Sequence, residues 1–182
     1  YKFLPAIPSD LFKENDGFKV EFYNGQEFEG SPIETKILKG NKFWAMGGFG
    51  LDIVAQSERP SLSVLFTGEL EPKFSGEYDF EIFSIGPSRL TMNGEVLIDN
   101  WTSQDPGDAF FGMGSAPRRG KINLEAGKIY SLKVEYKWEG RFPAVQIGMQ
   151  APDQFNLMDE AAAIAKDADA VILIVGTNSD WE

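Results

Sequence analysis

The chain contains no cysteine and no histidine. It can therefore form no disulfide and offer no thiolate nucleophile, and zinc sites of the usual N/S kind and a Ser-His-Asp triad are excluded within it. A calcium site built from aspartate and carbonyl oxygens stays open, because calcium takes oxygen ligands alone. Basic residues are in deficit too: 17 Lys and Arg stand against 28 Asp and Glu, for a net charge of −11. That balance argues against nucleic acid and against an anionic membrane as partners, since both require a basic footprint. Long apolar runs are also missing. The longest, Ala170 to Val175, falls far short of the roughly 20 residues of a membrane span. No signal peptide stands at the start, and the first residue is Tyr1 rather than Met, so the expectation is a processed chain or a piece of a longer one. The lack of cysteine fits a reducing compartment, which leaves the location unknown with the cytoplasm slightly favoured.

What is present is apolar material in quantity. Of 182 residues, 42% are hydrophobic and 13% aromatic, with 15 Phe, enough for one sizeable core or for one domain plus part of another. The most informative run is Gly76 to Trp101. Tyr78, Phe80 and Ile82 alternate with Glu77, Asp79 and Glu81, the period of a strand with one dry and one wet face. Asn93-Gly94 then separates two apolar runs and predicts a type I′ hairpin, because that turn needs positive φ at both central residues. The run reads as a β-meander with a tight turn.

Alternation marks further strands at Phe18–Phe22, Leu62–Phe66, Ile122–Leu124, Tyr130–Trp138 and Val145–Met149, with a short one at Glu34–Leu38. Roughly eight or nine short strands with turn punctuation predict an antiparallel β-sandwich. Trp101 and Trp138 close alternating apolar strands and are expected in the core. Residues 1 to 15, broken by Pro5 and Pro8, read as a connector. Thr102 to Arg119 reads as a long loop without structure of its own, and such loops are often functional.

After Pro152 the pattern changes. Asn156 is a plausible N-cap, Leu157, Ala161, Ile164 and Ala168 recur at helical spacing, and the unbroken run Ala170–Val175 reads as a parallel strand buried on both faces. More than half of the net charge also lies here, on Asp153, Asp159, Glu160, Asp167, Asp169, Asp180 and Glu182 against Lys166. One parallel strand cannot satisfy its own edges, so the expectation is an insert, 16 to 151, between a connector, 1 to 15, and a fragment, 152 to 182, of a host α/β domain.

The order Phe18-Lys19-Val20-Glu21-Phe22-Tyr23, Leu65-Phe66-Thr67-Gly68, Gly76-Glu77-Tyr78-Asp79-Phe80, Asn93-Gly94, Asp99-Asn100-Trp101, Leu124-Glu125-Ala126-Gly127-Lys128 and Val134-Glu135-Tyr136 resembles the protective-antigen-type domain, here PA-fourteen, a β-sandwich of toxins, adhesins and glycosidases. The tail, Ala161 to Asp169 followed by Val171–Val175 and Gly176-Thr177-Asn178-Ser179-Asp180-Trp181-Glu182, looks like the C-terminal α/β domain of family-three glycoside hydrolases. In β-glucosidases of that family a PA-fourteen domain can be inserted in this domain, and Tyr1-Lys2-Phe3-Leu4-Pro5 looks like the host's approach to it. The resemblance implies an accessory carbohydrate-interacting domain that shapes access for short β-glucosides. Its partners would be short β-glucosides or oligosaccharides and the rest of the host glycosidase, with a homo-oligomer possible and no cofactor implied. A free-standing carbohydrate-binding or adhesion module is the alternative, and an oligomer contact a third reading.

Retaining glycoside hydrolysis needs two carboxyl groups roughly 5 Å apart. Ser179-Asp180-Trp181 resembles the family's nucleophile motif, but that motif belongs to the N-terminal barrel, whereas the Lys166-Asp167-Ala168-Asp169 context is that of the other domain. There the acid/base Glu follows in a Ser-Glu-Gly context, and Glu182 reads as the Glu before it. No catalytic residue is therefore expected in this chain, which alone would be inactive. Adhesin relatives carry adjacent aspartates for calcium after the Gly-x-Tyr-x-Phe strand; Ser84-Ile85-Gly86-Pro87-Ser88 stands there instead, so no metal site is expected. Asp99, Asp105 and Asp108 read as turn and loop residues rather than cation ligands. The expected substrate-binding residues are Phe110 and Phe111, apolar rings in a Gly-rich polar loop, where an aromatic face can stack on a sugar. The bland reading folds both back onto the sandwich.

Overall fold

The computed structural model of the protein describes residues 3–15, 17–39, 42–44, 61–139, 142–152, 157–166 and 170. The chain forms two compact units, Tyr1–Pro152 and Asp153–Glu182. Among the described residues of the first unit, strands β1 (Phe18–Asn24), β2 (Glu34–Leu38), β3 (Lys42–Trp44), β4 (Ser61–Leu70), β5 (Gly76–Ser84), β6 (Ser88–Met92), β7 (Glu95–Asn100), β8 (Arg118–Leu124), β9 (Tyr130–Glu139) and β10 (Ala144–Gln150) build two antiparallel sheets. The larger runs β2-β1-β4-β9-β6-β7 and the smaller β3-β10-β5-β8. The inner faces meet in one core. Alternate residues of β1 (Phe18, Val20, Phe22), β4 (Leu62, Val64, Phe66) and β9 (Leu132, Val134, Tyr136, Trp138) face Tyr78, Phe80 and Ile82 of β5 and Val145, Ile147 and Met149 of β10.

Alternation therefore predicts most of the longer strands and their inward residues, but neither β3 nor all of the pairing. Gly76 to Trp101 is not a meander. β5 pairs with β10 and β8 in the smaller sheet, whereas β6 and β7 form a hairpin on β9 in the larger one. The chain changes sheet at Ile85-Gly86-Pro87. Gly86 has φ +102 and sits where a Cβ would lie 2.7 Å from the Lys137 carbonyl oxygen, so only glycine makes that corner against β9. The Tyr136 hydroxyl fixes the same corner, donating to the Ile85 carbonyl at 2.7 Å and accepting from the Ala144 N–H at 3.1 Å. Burial pushes that phenol far above its ordinary value, so it stays a neutral donor. The expected hairpin turn is present, with φ of 49° at Asn93 and 87° at Gly94.

The opening segment is irregular, as its prolines dictate, yet it is packed rather than merely connecting. Ile7, Leu11 and Phe12 are buried members of the core, and a 3₁₀ turn covers Ser9–Leu11. Residues Phe3 to Pro8 form a strap over the outer face of the smaller sheet. There the Leu4 N–H donates to Glu81 Oε1 at 2.8 Å, the Met149 N–H donates to the Pro5 carbonyl at 2.9 Å, and Gly148 leaves room for Leu4.

In the second unit the helix Leu157–Lys166 is present as the spacing predicts, and Ile164 on it is 68% exposed. The proposed cap Asn156 and the strand run Val171–Val175 lie outside the described residues, as do Ser179, Asp180 and Glu182.

Candidate functional site

The segment after β7 holds the strongest candidate, and it is better organised than a structureless loop. At its base the Asp99 carboxylate accepts from the N–H groups of Trp101 (2.7 Å) and Thr102 (3.3 Å) and from the Thr102 hydroxyl, which hold it below its ordinary carboxylate value. The Arg118 guanidinium donates to the Asp99 carbonyl, to Ser103 Oγ and to Asp105 Oδ2. Asp99 and Asp105 thus serve the loop's own geometry.

Beneath it lies a buried polar knot. Asn100 Nδ2 reaches Ser84 Oγ, Ser88 Oγ and Ser115 Oγ at 3.0–3.2 Å, and the Ser84 and Ser88 hydroxyls bond each other at 2.7 Å. Ser115 pairs with Ser84 through both N–H groups. Since these groups are shut off from water, each unmade bond would cost about 1–3 kcal/mol, and the knot pins the returning arm of the loop to the end of β5.

Above the knot the two arms pair again. Pro106 bridges Ser115, the Gly107 N–H donates to the Gly114 carbonyl at 2.9 Å, and the Ala116 N–H donates to the Asp105 carbonyl at 2.7 Å. The tip is the helical turn Ala109–Gly112, in which Phe110 (φ 51, ψ 50) and Phe111 (φ 60, ψ 33) are both left-handed. For residues with a bulky Cβ substituent this costs about 1–2 kcal/mol each, and such strain persists only where the surroundings impose it. The left-handed pair sends the two rings in different directions. Phe110 turns back, half-buried, onto Phe83 with ring centroids 5.4 Å apart, and its ring covers Gly114, where a Cβ would lie 2.8 Å from Phe110 Cδ2. Phe111 turns out and is 77% exposed, with the 46% exposed Met113 beside it on the same tip.

The predicted pair is thus adjacent in the structure but divided in environment: Phe110 is the anchor and Phe111 the projecting ring. Their division was not visible in sequence, because identical neighbours in a loop give no period from which to assign sides. Trp138 lies in the core, fully buried. Trp101 does not. Ile98 and Asn100 face inward, so the next residue must face out, and alternation itself contained the correction. The half-exposed Trp101 ring stacks on Phe28 at 6.2 Å, with the Arg89 guanidinium at 4.8 Å and the Lys137 ammonium at 5.0 Å from its centroid. Arg89 is held in turn by Glu135 at 2.7 Å. Burial pushes the Glu135 carboxyl up, but Arg89 and Lys133 outweigh it and leave the group below its ordinary value. One contributor escaped sequence reading altogether. Phe83, the seat of Phe110, follows Ile82 directly, and two successive apolar residues at a strand end signal that the outer face is covered.

Comparison with known proteins gives three kinds of match. The PA14 domain family matches residues 15–154. A probable beta-glucosidase H from Aspergillus oryzae is 32% identical over 198 residues, an alignment covering 100% of this chain and 23% of that protein. The chain spans about a fifth of the length of the curated relatives it matches. Among solved structures, a beta-glucosidase from Kluyveromyces marxianus in complex with glucose superposes with TM-score 0.84 at 24% identity, covering 100% of this chain and 24% of that one. The epithelial adhesin 9 A domain from Candida glabrata, in complex with Galβ1-3GlcNAc, superposes with TM-score 0.53 at 10% identity, covering 86% of this chain and 91% of that one. These two likenesses concern the fold.

Proposed function

We propose, from the premise that this chain belongs to the PA14 domain family, that it is an accessory carbohydrate-interacting domain of a family-three β-glucosidase. In this reading it shapes access for short β-glucosides on the aglycone side of the cleaved bond. The chemistry lies outside the chain, which alone is inactive, and residues 152 to 182 belong to the host's α/β domain. The observation that carries the proposal is Phe111: a 77% exposed aromatic ring held at the tip of a loop pinned at its base, middle and crown. Exposed apolar surface costs free energy in water, and the left-handed backbone that presents it adds to the cost. A sugar ring covering one face would return part of the 1.5–3 kcal/mol, roughly, of burying a Phe side chain. The similarity to a probable beta-glucosidase supplies the substrate class.

The test is kinetic. In the full-length protein, Phe111→Ala should raise the KM for a β-linked glucose disaccharide and shift preference toward the trisaccharide, by about tenfold in the ratio of kcat/KM values. Unchanged kinetics on both substrates would contradict the proposal. The adhesion-module alternative requires sugar binding by the sandwich alone that is abolished by a calcium chelator. Asp99 and Asp105 are engaged in holding the loop.

A further inference from the structure

The outer face of the smaller sheet carries a three-ring stack that joins two parts of the molecule with different jobs. Phe83, at the end of β5, is buried although it points away from the core. On one side it stacks on Phe3 of the opening strap, with centroids 4.5 Å apart and planes 27° from parallel. On the other it meets Phe110 of the loop tip at 5.4 Å and 38°. The same strand end fastens both neighbours by hydrogen bonds. Two residues before Phe83, Glu81 holds the Leu4 N–H of the strap at 2.8 Å. One residue after it, Ser84 exchanges backbone and side-chain bonds with Ser115 of the loop, at 2.9 and 3.2 Å.

We infer that Phe83 is a positioning residue for the substrate-facing ring: it sets where Phe111 stands relative to the strap by seating Phe3 and Phe110 on one side chain. This rests on the proposed function, in which Phe111 contacts sugar and the strap is the chain's approach from the host. Phe110 and Phe111 are consecutive left-handed residues, so the orientation of one fixes that of the other through two intervening dihedrals. Without its seat, Phe110 loses a ring contact that helps to impose a costly backbone, and the tip is freer to adopt other turns. Phe83 itself is buried beneath Phe3 and Phe110, so its effect passes through them.

The experiment uses the full-length protein and the ratio of kcat/KM for the β-linked glucose trisaccharide over the disaccharide. A loss of folded enzyme lowers both values equally and cancels in the ratio, so a merely structural role does not move it. Phe83→Ala and the milder Phe83→Leu should shift the ratio in the same direction as Phe111→Ala, the alanine variant by about threefold or more. In the Phe111→Ala background, Phe83→Ala should add less than about twofold, because the ring through which it acts is gone. Phe3→Ala, which removes the other side of the stack, should shift the ratio as Phe83→Leu does. A ratio that moves with Phe111→Ala but stays put in both Phe83 variants overturns this inference and leaves the proposed function standing. Full additivity of Phe83→Ala and Phe111→Ala also overturns it. A ratio insensitive to Phe111→Ala overturns the proposed function, and this inference with it.

Discussion

Replacing Trp138 with alanine should cost the chain about 3–5 kcal/mol of unfolding free energy, the most of any single truncation considered. Trp138 is the largest of the fully buried side chains and lies on β9, which pairs with β4 along its whole length and with β6 at its centre. Its partner across the ladder, Leu62 of β4, is held by paired backbone, so the sheet cannot close over the missing indole and the cavity persists. Alanine keeps the backbone carbonyl of position 138, which accepts from Gln26 Nε2 at 3.0 Å, so the cost is that of the indole alone. Denaturant unfolding measures the effect. A loss below about 1 kcal/mol would mean that the larger sheet is not the packed half of the core.

Arg119→Ala should destabilise by about 3 kcal/mol, more than Glu81→Gln at about 1 kcal/mol, although the two side chains form one ion pair. The asymmetry follows from burial. Glu81 is 0% exposed under the strap, whereas the Arg119 side chain is 51% exposed, with Nε 2.8 Å from Glu81 Oε2. Removing the arginine leaves a buried carboxylate with the Leu4 N–H on its other oxygen and no cation among the described residues. That puts the cost at the lower end of the range for broken buried pairs, because water reaches the vacated side. Glutamine in place of Glu81 keeps an acceptor for Leu4 and leaves a cation that water can solvate. Equal costs for the two variants, or a larger one for Glu81→Gln, would show that the strap does not seal the carboxylate.

Much of this architecture is legible in the residues. β1, β4, β5 and β9 follow from period-2 alternation because each has one face against the core, and Asn93-Gly94 specifies its turn chemically. Pairing is another matter. That β5 leaves β6 for β8 and β10 depends on a corner fixed by Gly86, Tyr136 and Ala144, residues distant in sequence. β3 has three residues, too few for a period, and gains its ladder from β10. The loop was legible as a place, since its apolar rings break a polar segment, but not as a geometry. Its order comes from Asn100 and three serines, each ordinary in sequence, and from Phe83, whose meaning depends on what covers it. The burial of Ile7, Leu11 and Phe12 in the opening segment was not legible, because prolines exclude regular structure without excluding burial.

The central claim is that the ring of Phe111 touches the sugar, and contact is best measured by capture. The full-length protein, carrying a benzoyl-phenylalanine photocrosslinker in place of Phe111, would be irradiated with a β-linked glucose trisaccharide and its peptides analysed by mass spectrometry. A sugar adduct is expected on the peptide containing position 111, suppressed by excess unlabelled disaccharide and absent when the crosslinker replaces Val96, which is exposed on β7. No adduct at position 111, or one that excess disaccharide leaves untouched, would contradict it.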